Sequence, residues 1–305
     1  MSRLITLSLA LMLILGLALP AAVLAQDANE MAAPMTVLKP SADLLGGGPA
    51  SSMGKPSSPP GQDKKPKPDD EPEANKWAVV VGIADYAGRD SDLWHPDEDA
   101  KEMEKALVNN YGFPRDNVKT LINRKATAKS ILDAIDWLAA REDAESTVVF
   151  FFSGHGYRAP DADGWDSDVE ADGYDEMIVT YDLYGLPDGV LRDRFAAFES
   201  QEFALIFGSC HSGGMFDDDD DLQAPGRVIC SACKADQYGW DYLSLGNTLF
   251  GYYFVDEGVL QGLADVNGDG ASMEEALDYA YPRVTAVQPD SQPQIYDGFE
   301  GELVP

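Results

Sequence analysis

Apolar residues fall along this chain in two kinds of block, short unbroken runs and longer stretches with helical spacing, and the two kinds alternate from Trp77 onward. The run KWAVVVGIADY is continuous and rich in β-branched residues, the signature of a strand buried on both faces. DEDAKEMEKALVNNYGF then carries apolar positions at helical spacing with acids in its first turn, and the pattern stops near Gly112. NVKTLIN predicts a short strand, and TAKSILDAIDWLAARE an amphipathic helix capped by Thr127. STVVFFFSG predicts a further buried strand, PDGVLRDRFAAFES a helix, and EFALIFGSC another buried strand. Strands alternating with helices imply an α/β fold with a largely parallel sheet covered on both faces. In such sheets ligands bind beyond the carboxyl ends of the strands, and FFFSGHG and LIFGSCHSGG both end there.

The chain upstream of Trp77 has a different texture. MSRLITLSLALMLILGLALPAAVLAQD has an early arginine, a long apolar run and a small-residue ending. Residues 1–25 therefore read as a secretory signal cut after Ala25, which predicts a secreted or periplasmic protein without a stable membrane span. The apolar run approaches spanning length, but the Pro20-Ala21-Ala22 break favours cleavage over anchoring. Residues 26–76 contain no aromatic residue and nine of the nineteen prolines, too little apolar surface to offset chain entropy. They are expected to form a disordered linker or pro-segment, leaving residues 77–305 as one domain with one sizeable core.

The formal charge of −31, from 53 Asp and Glu against 22 Lys and Arg, excludes the basic footprint that nucleic-acid binding requires. It favours cationic partners such as calcium or Lys/Arg-bearing substrates, although most such charges simply solvate a surface. The three cysteines, Cys210, Cys230 and Cys233, leave at least one thiol unpaired. Cys230 and Cys233 could close a short disulfide or remain reduced in the core, and no histidine cluster completes a zinc site with them.

Two strand ends carry the candidate chemistry. His155, one of three histidines, stands between Gly154 and Gly156, and Cys210 is followed by His211-Ser212-Gly213-Gly214. A nucleophilic cysteine needs a base or a positive neighbour, and flanking glycines let a substrate carbonyl approach backbone amides closely. Taken singly, Cys210 could be an inert buried thiol and His155 a hydrogen-bonded loop residue. Two strand ends that deliver a histidine and, about fifty residues later, a cysteine to one cleft argue for a reactive pair.

At this point the sequence resembles the caspase-like cysteine peptidases, in particular metacaspase-like bacterial members. SGHG matches the family's histidine motif and SCHSGG the metacaspase form of its cysteine motif, with further echoes in DEDAKEM, EADGYDEMIV and RVICSACKADQYGW. The resemblance implies a caspase-like three-layer α/β/α sandwich with a mostly parallel central sheet. It implies Cys210 as nucleophile, His155 as general base and acid, and an oxyanion hole from the backbone N–H groups of Gly156 and Cys210. His211 does not replace His155 in this scheme. Protein or peptide substrates are implied, cleaved after Arg or Lys, with Asp99 as one acid of the pocket for the residue preceding the cut. Gly208 stands where metacaspases usually carry the second acid, which weakens the expected preference.

Calcium is the expected cofactor, and no organic cofactor is expected. The runs DADGWDSDVEADGYDE and DDDDD concentrate carboxylates that repel unless neutralised. The resemblance implies ligands at Asp175, Asp193 and Asp217, with Arg192 as a mismatch. A second candidate is DVNGDGASMEEA, where Asp265, Asn267, Asp269 and Gly270 fit the first half of an EF-hand loop and Glu275 falls one residue early for its last ligand. A plain Asp/Asn-Gly turn is the alternative there. Two other functions compete with a peptidase. One is a non-catalytic calcium-dependent binding module of the same fold, which would be expected to have lost Cys210 or His155. The other is a thiol redox protein using Cys230 and Cys233, whose motif would have to open a helix after the first strand of its unit.

Overall fold

The apolar runs meet side by side at the centre of the molecule. The computed structural model describes residues 28–31, 36–45, 75–166, 169–218 and 221–305. The signal-like segment 1–25 and most of the proline-rich stretch lie outside the described residues. In chain order the strands are β1 (Ala28–Glu30), β2 (Lys76–Gly82), β3 (Val118–Ile122), β4 (Thr147–Ser153), β5 (Gly156–Pro160), β6 (Tyr174–Val179), β7 (Gly185–Pro187), β8 (Glu202–Gly208), β9 (Arg227–Ser231), β10 (Trp240–Tyr242), β11 (Asn247–Thr248) and β12 (Gln294–Asp297). The helices are α1 (Ala42–Leu45), α2 (Pro96–Asn109), α3 (Ala128–Ala139), α4 (Asp188–Phe195) and α5 (Met273–Val287), and Gly251–Leu260 is wound as a π-helix.

The main sheet has six strands in the order β12-β9-β8-β4-β2-β3, parallel throughout except for β12. Period-two alternation divides its side chains between two cores. Val79, Val81, Phe150, Phe152, Leu205 and Phe207 face α3 and α4, while Val80, Phe151, Ile206 and Cys230 face α2, α5 and the π-helix. Each fully buried side chain of this kind contributes about 1.5–3 kcal/mol, so continuous apolar sequence in the strands is what two covered faces demand. Thr127 caps α3 as its sequence position predicts, accepting a hydrogen bond from the Ser130 N–H. Among the described residues no helix is long and apolar enough to cross a membrane.

Two small antiparallel sheets complete the fold, β5-β6-β7 and β1-β10-β11. Neither is visible in the hydrophobic pattern, because their strands are short and mix charged residues and glycine with apolar ones. The stretch expected to be structureless also contributes to the fold. β1 pairs with β10, and Leu38 bridges to Tyr184. In these docked pieces Met31 is buried, and Val37, Leu44 and Leu45 pack against the core of the α3 and α4 face.

Candidate active site

β4 and β8 are neighbouring parallel strands, and their last paired residues are Ser153 and Gly208. His155 and Cys210 each lie two residues beyond that rung. Equal overhang on adjacent parallel strands brings both residues to the same carboxyl end of the sheet.

His155 is 2% exposed, and its orientation is fixed on three sides. Its backbone N–H donates to the Tyr86 hydroxyl at 2.7 Å, and the Tyr86 ring stands 4.8 Å from the imidazole. Nε2 lies 2.8 Å from the Ser91 carbonyl oxygen and Nδ1 2.6 Å from that of Met31. A neutral imidazole donates from one nitrogen only. Both nitrogens face carbonyl oxygens, so beside Met31 the proton is drawn to Nδ1, and Nδ1 becomes the basic nitrogen once the proton sits on Nε2 toward Ser91. Burial holds the His155 pKa below the usual histidine range, opposed by the two carbonyls and the charge of Asp92.

Cys210 is 1% exposed and receives the Gly239 N–H at its sulfur, at 3.2 Å. Burial pushes its thiol well above the ordinary cysteine range, while backbone hydrogen bonds from Gly239 and Met31 pull the other way. The loop that follows is tightly built. The Ser212 hydroxyl donates to Ser209 O at 2.8 Å and accepts from Ala232 N at 3.1 Å. His211 adopts a left-handed backbone with φ 59°, and its Nδ1 faces Ala235 O at 2.7 Å beside Tyr238. It thus shapes the loop. Gly156 is packed so closely on the Cys210 backbone that a Cβ there would collide with the Cys210 carbonyl oxygen. Cys230 and Cys233 are free and buried, on a strand and a loop rather than at the start of a helix.

Asp99 lies beneath the same rung. Its carboxylate accepts from Ser153 Oγ at 2.7 Å, Thr248 Oγ1 at 2.7 Å, and Thr248 N and Asn247 Nδ2 at 3.1 Å each. Burial raises its pKa to about 7, against those hydrogen bonds. Gly208, across the rung, has Ser153 Oγ 3.3 Å from where a Cβ would stand.

The acidic residues named from sequence are dispersed. Asp175 is buried on β6, whereas Asp193 is exposed on α4 and paired with Arg192 at 3.0 Å. Asp217 follows the cysteine loop, its pKa raised to about 6 by partial burial and by Asp172. Among the described residues, the carboxylates whose oxygens converge within 4.8 Å are Glu170, Asp188 and Asp221, all buried. Asp188 Oδ2 has no hydrogen-bond partner, and burial together with the charges of Glu170 and Asp221 lifts its pKa well above the usual range. These three residues come from a loop, a helix start and a second loop, so no spacing in the sequence marks them.

In the 265–275 turn, Asp265 accepts from the N–H groups of Gly268 (2.6 Å) and Gly270 (3.3 Å), and Asn267 from Asp269 N (3.1 Å). Glu275 is the reciprocal partner of Ser272 in the capping box of α5. Asp265, Asp269 and Glu275 do not converge on a common point. The sequence reading also overlooked Tyr86, Ser91 and Met31. Tyr86 follows strand β2, a position that could have flagged it, but Ser91 and Met31 act through backbone atoms and carry no side-chain signal.

The family model described as the caspase domain matches residues 75–288. Among curated proteins, the chain is 35% identical over 149 residues to Metacaspase-4 of Arabidopsis thaliana, covering 47% of this chain and 35% of that protein. It is 37% identical over 151 residues to Metacaspase-6 of the same plant, covering 47% and 39%. The match thus spans little more than a third of those relatives' length. Among solved structures, a protein of Geobacter sulfurreducens superposes with a TM-score of 0.56 at 20% identity, over 74% of this chain and 94% of that one. Caspase-1 from Spodoptera frugiperda superposes with a TM-score of 0.50 at 12% identity, over 76% and 90%.

Proposed function

Because this chain belongs to the caspase-domain family of cysteine peptidases, we propose that it is an endopeptidase whose reacting pair is Cys210 and His155. The reading rests above all on the shared rung: two motif residues each stand two positions past Ser153 and Gly208, at the carboxyl ends of adjacent parallel strands. His155 Nδ1 takes the Cys210 proton as the sulfur attacks a peptide carbonyl carbon, and the Nε2–H directed at Ser91 O supports the resulting imidazolium. The N–H groups of Gly156 and Cys210 receive the oxyanion. The imidazolium then protonates the departing amine, and water hydrolyses the thioester by the reverse proton path. Burial lowers the His155 pKa and raises that of Cys210, which works against a preformed ion pair.

Cleavage after Arg or Lys is the proposed preference, drawn from Asp99 beneath the rung. With a pKa of about 7 the carboxyl gains its charge only as pH rises through neutrality. The preference for Arg over an uncharged residue therefore strengthens from pH 6 to pH 8. Glu170, Asp188 and Asp221 have the convergence, and Asp188 Oδ2 the unmet acceptor, suited to a divalent cation such as calcium. Secretion or export to the periplasm belongs to the same proposal and rests on residues 1–25. A fluorogenic peptide panel varied at the residue before the cut, with and without calcium, tests the proposal. Hydrolysis that survives Cys210→Ala overturns the chemistry, and better cleavage after Asp than after Arg overturns the specificity. Calcium binding without hydrolysis of any peptide favours the non-catalytic binding module.

A further inference from the structure

The groove beside Cys210 is already lined by a piece of the chain itself. Residues 28–31 run antiparallel to β10, with Ala28 opposite Tyr242, Asn29 opposite Asp241 and Glu30 opposite Trp240. The Met31 N–H extends this ladder, donating to Gly239 O at 3.0 Å. Gly239 is also the residue whose own N–H reaches the Cys210 sulfur. The Met31 carbonyl oxygen lies 2.6 Å from His155 Nδ1. Met31 itself is 1% exposed and joins the apolar cluster that includes Tyr86, Leu93 and Cys210. Met31 thus meets His155 through its carbonyl and, through its N–H, the residue that holds the Cys210 sulfur.

An extended peptide adding to an open strand edge gains main-chain hydrogen bonds whatever its sequence. We propose that residues 28–31 are an intramolecular occupant of the peptide-binding track, with Met31 at the position of the residue that precedes a cut. This deepens the peptidase reading and rests on it for the identity of the track. The occupant is held in a form that is not hydrolysed. Attack on a carbonyl requires its oxygen to turn to the N–H groups of Gly156 and Cys210, whereas the Met31 oxygen lies 2.6 Å from His155 Nδ1, where it accepts an Nδ1–H and so leaves that nitrogen no lone pair for the cysteine proton. The same contact that fills the groove ties up the base. Release of β1 from β10 therefore frees the track, His155 and Cys210 together.

Alternation along an antiparallel pair makes Asn29, two residues before Met31, another position whose N–H points into the ladder. Asn29→Pro removes that donor from a half-buried edge position, and Met31→Gly removes the buried anchor while leaving the backbone free to pair. The full chain and both variants are treated with iodoacetamide, and modification of Cys210 is followed by peptide mass mapping beside hydrolysis of a fluorogenic peptide. Both variants are expected to alkylate at Cys210 at least tenfold faster than the parent at unchanged far-ultraviolet circular dichroism, with hydrolysis rising in parallel. Alkylation rates within twofold of the parent in both folded variants overturn the occupancy, even if the parent hydrolyses peptides. Faster alkylation without any hydrolysis supports the occupancy and overturns the peptidase reading.

Discussion

At the scale of single residues, glycine and histidine carry the sharpest expectations. Cys210→Ala is expected to abolish hydrolysis with the melting temperature kept within a few degrees. His155→Ala should lower turnover by about 10²–10⁴-fold, the usual worth of general acid–base catalysis. Gly156→Ala forces a Cβ against the Cys210 carbonyl oxygen, so the backbone must shift and the oxyanion donors with it. A loss of about 10²–10³-fold in kcat follows, measurable on the same peptide. Asp99 makes a different prediction. Its pKa of about 7 exceeds the ordinary 3.8, so the folded state binds the proton more tightly than the unfolded chain. The stability it contributes is full below pH 3.8 and is lost as pH rises through about 7. Asp99→Asn should flatten that fall in melting temperature across the same window, and an unchanged slope refutes the assignment. His155 stands out in the sequence because glycines flank it, and Cys210 because it opens the run Cys210-His211-Ser212-Gly213-Gly214 at a strand end. Ser91 and Met31 do not, because any residue supplies a carbonyl.

At the scale of elements, the long strands and amphipathic helices were legible because two covered faces leave the middles of β2, β4 and β8 continuously apolar. β10 was illegible for the opposite reason: three residues of mixed polarity owe their conformation to neighbours rather than to propensity. Glu275 illustrates a reading that depends on the element around it. In a linear pattern it resembles a displaced calcium ligand, while in the fold it closes the α5 capping box with Ser272. Ser272→Ala should cost about 1 kcal/mol, seen as a lower melting temperature. Turnover should not change, since α5 packs on β9, β12 and the π-helix rather than at the cleft.

At the scale of the whole molecule, a charge of −31 must be accommodated by solvent or by cations. Most of it is surface, but Glu170, Asp188 and Asp221 are buried together. Calcium at a hundredfold excess over its dissociation constant stabilises a folded state by about 2.7 kcal/mol. A melting temperature that rises with calcium, falls with chelator and loses this response in Asp188→Asn is expected. No response in the parent chain leaves that cluster without a cation. The convergence of these three acids was beyond reach of the sequence, because proximity there depends on how α4 and two loops meet.

The rung between Ser153 and Gly208 also acts as a ruler. One residue inserted into β4 alone would carry His155 about 3.3 Å past its partner and turn its side chain to the opposite face. The same residue inserted between β5 and β6, or after the loop that follows Cys210, leaves both overhangs as they are. Chain length can therefore drift almost anywhere in this molecule, so long as the count from the strand pairing to each reacting residue is preserved.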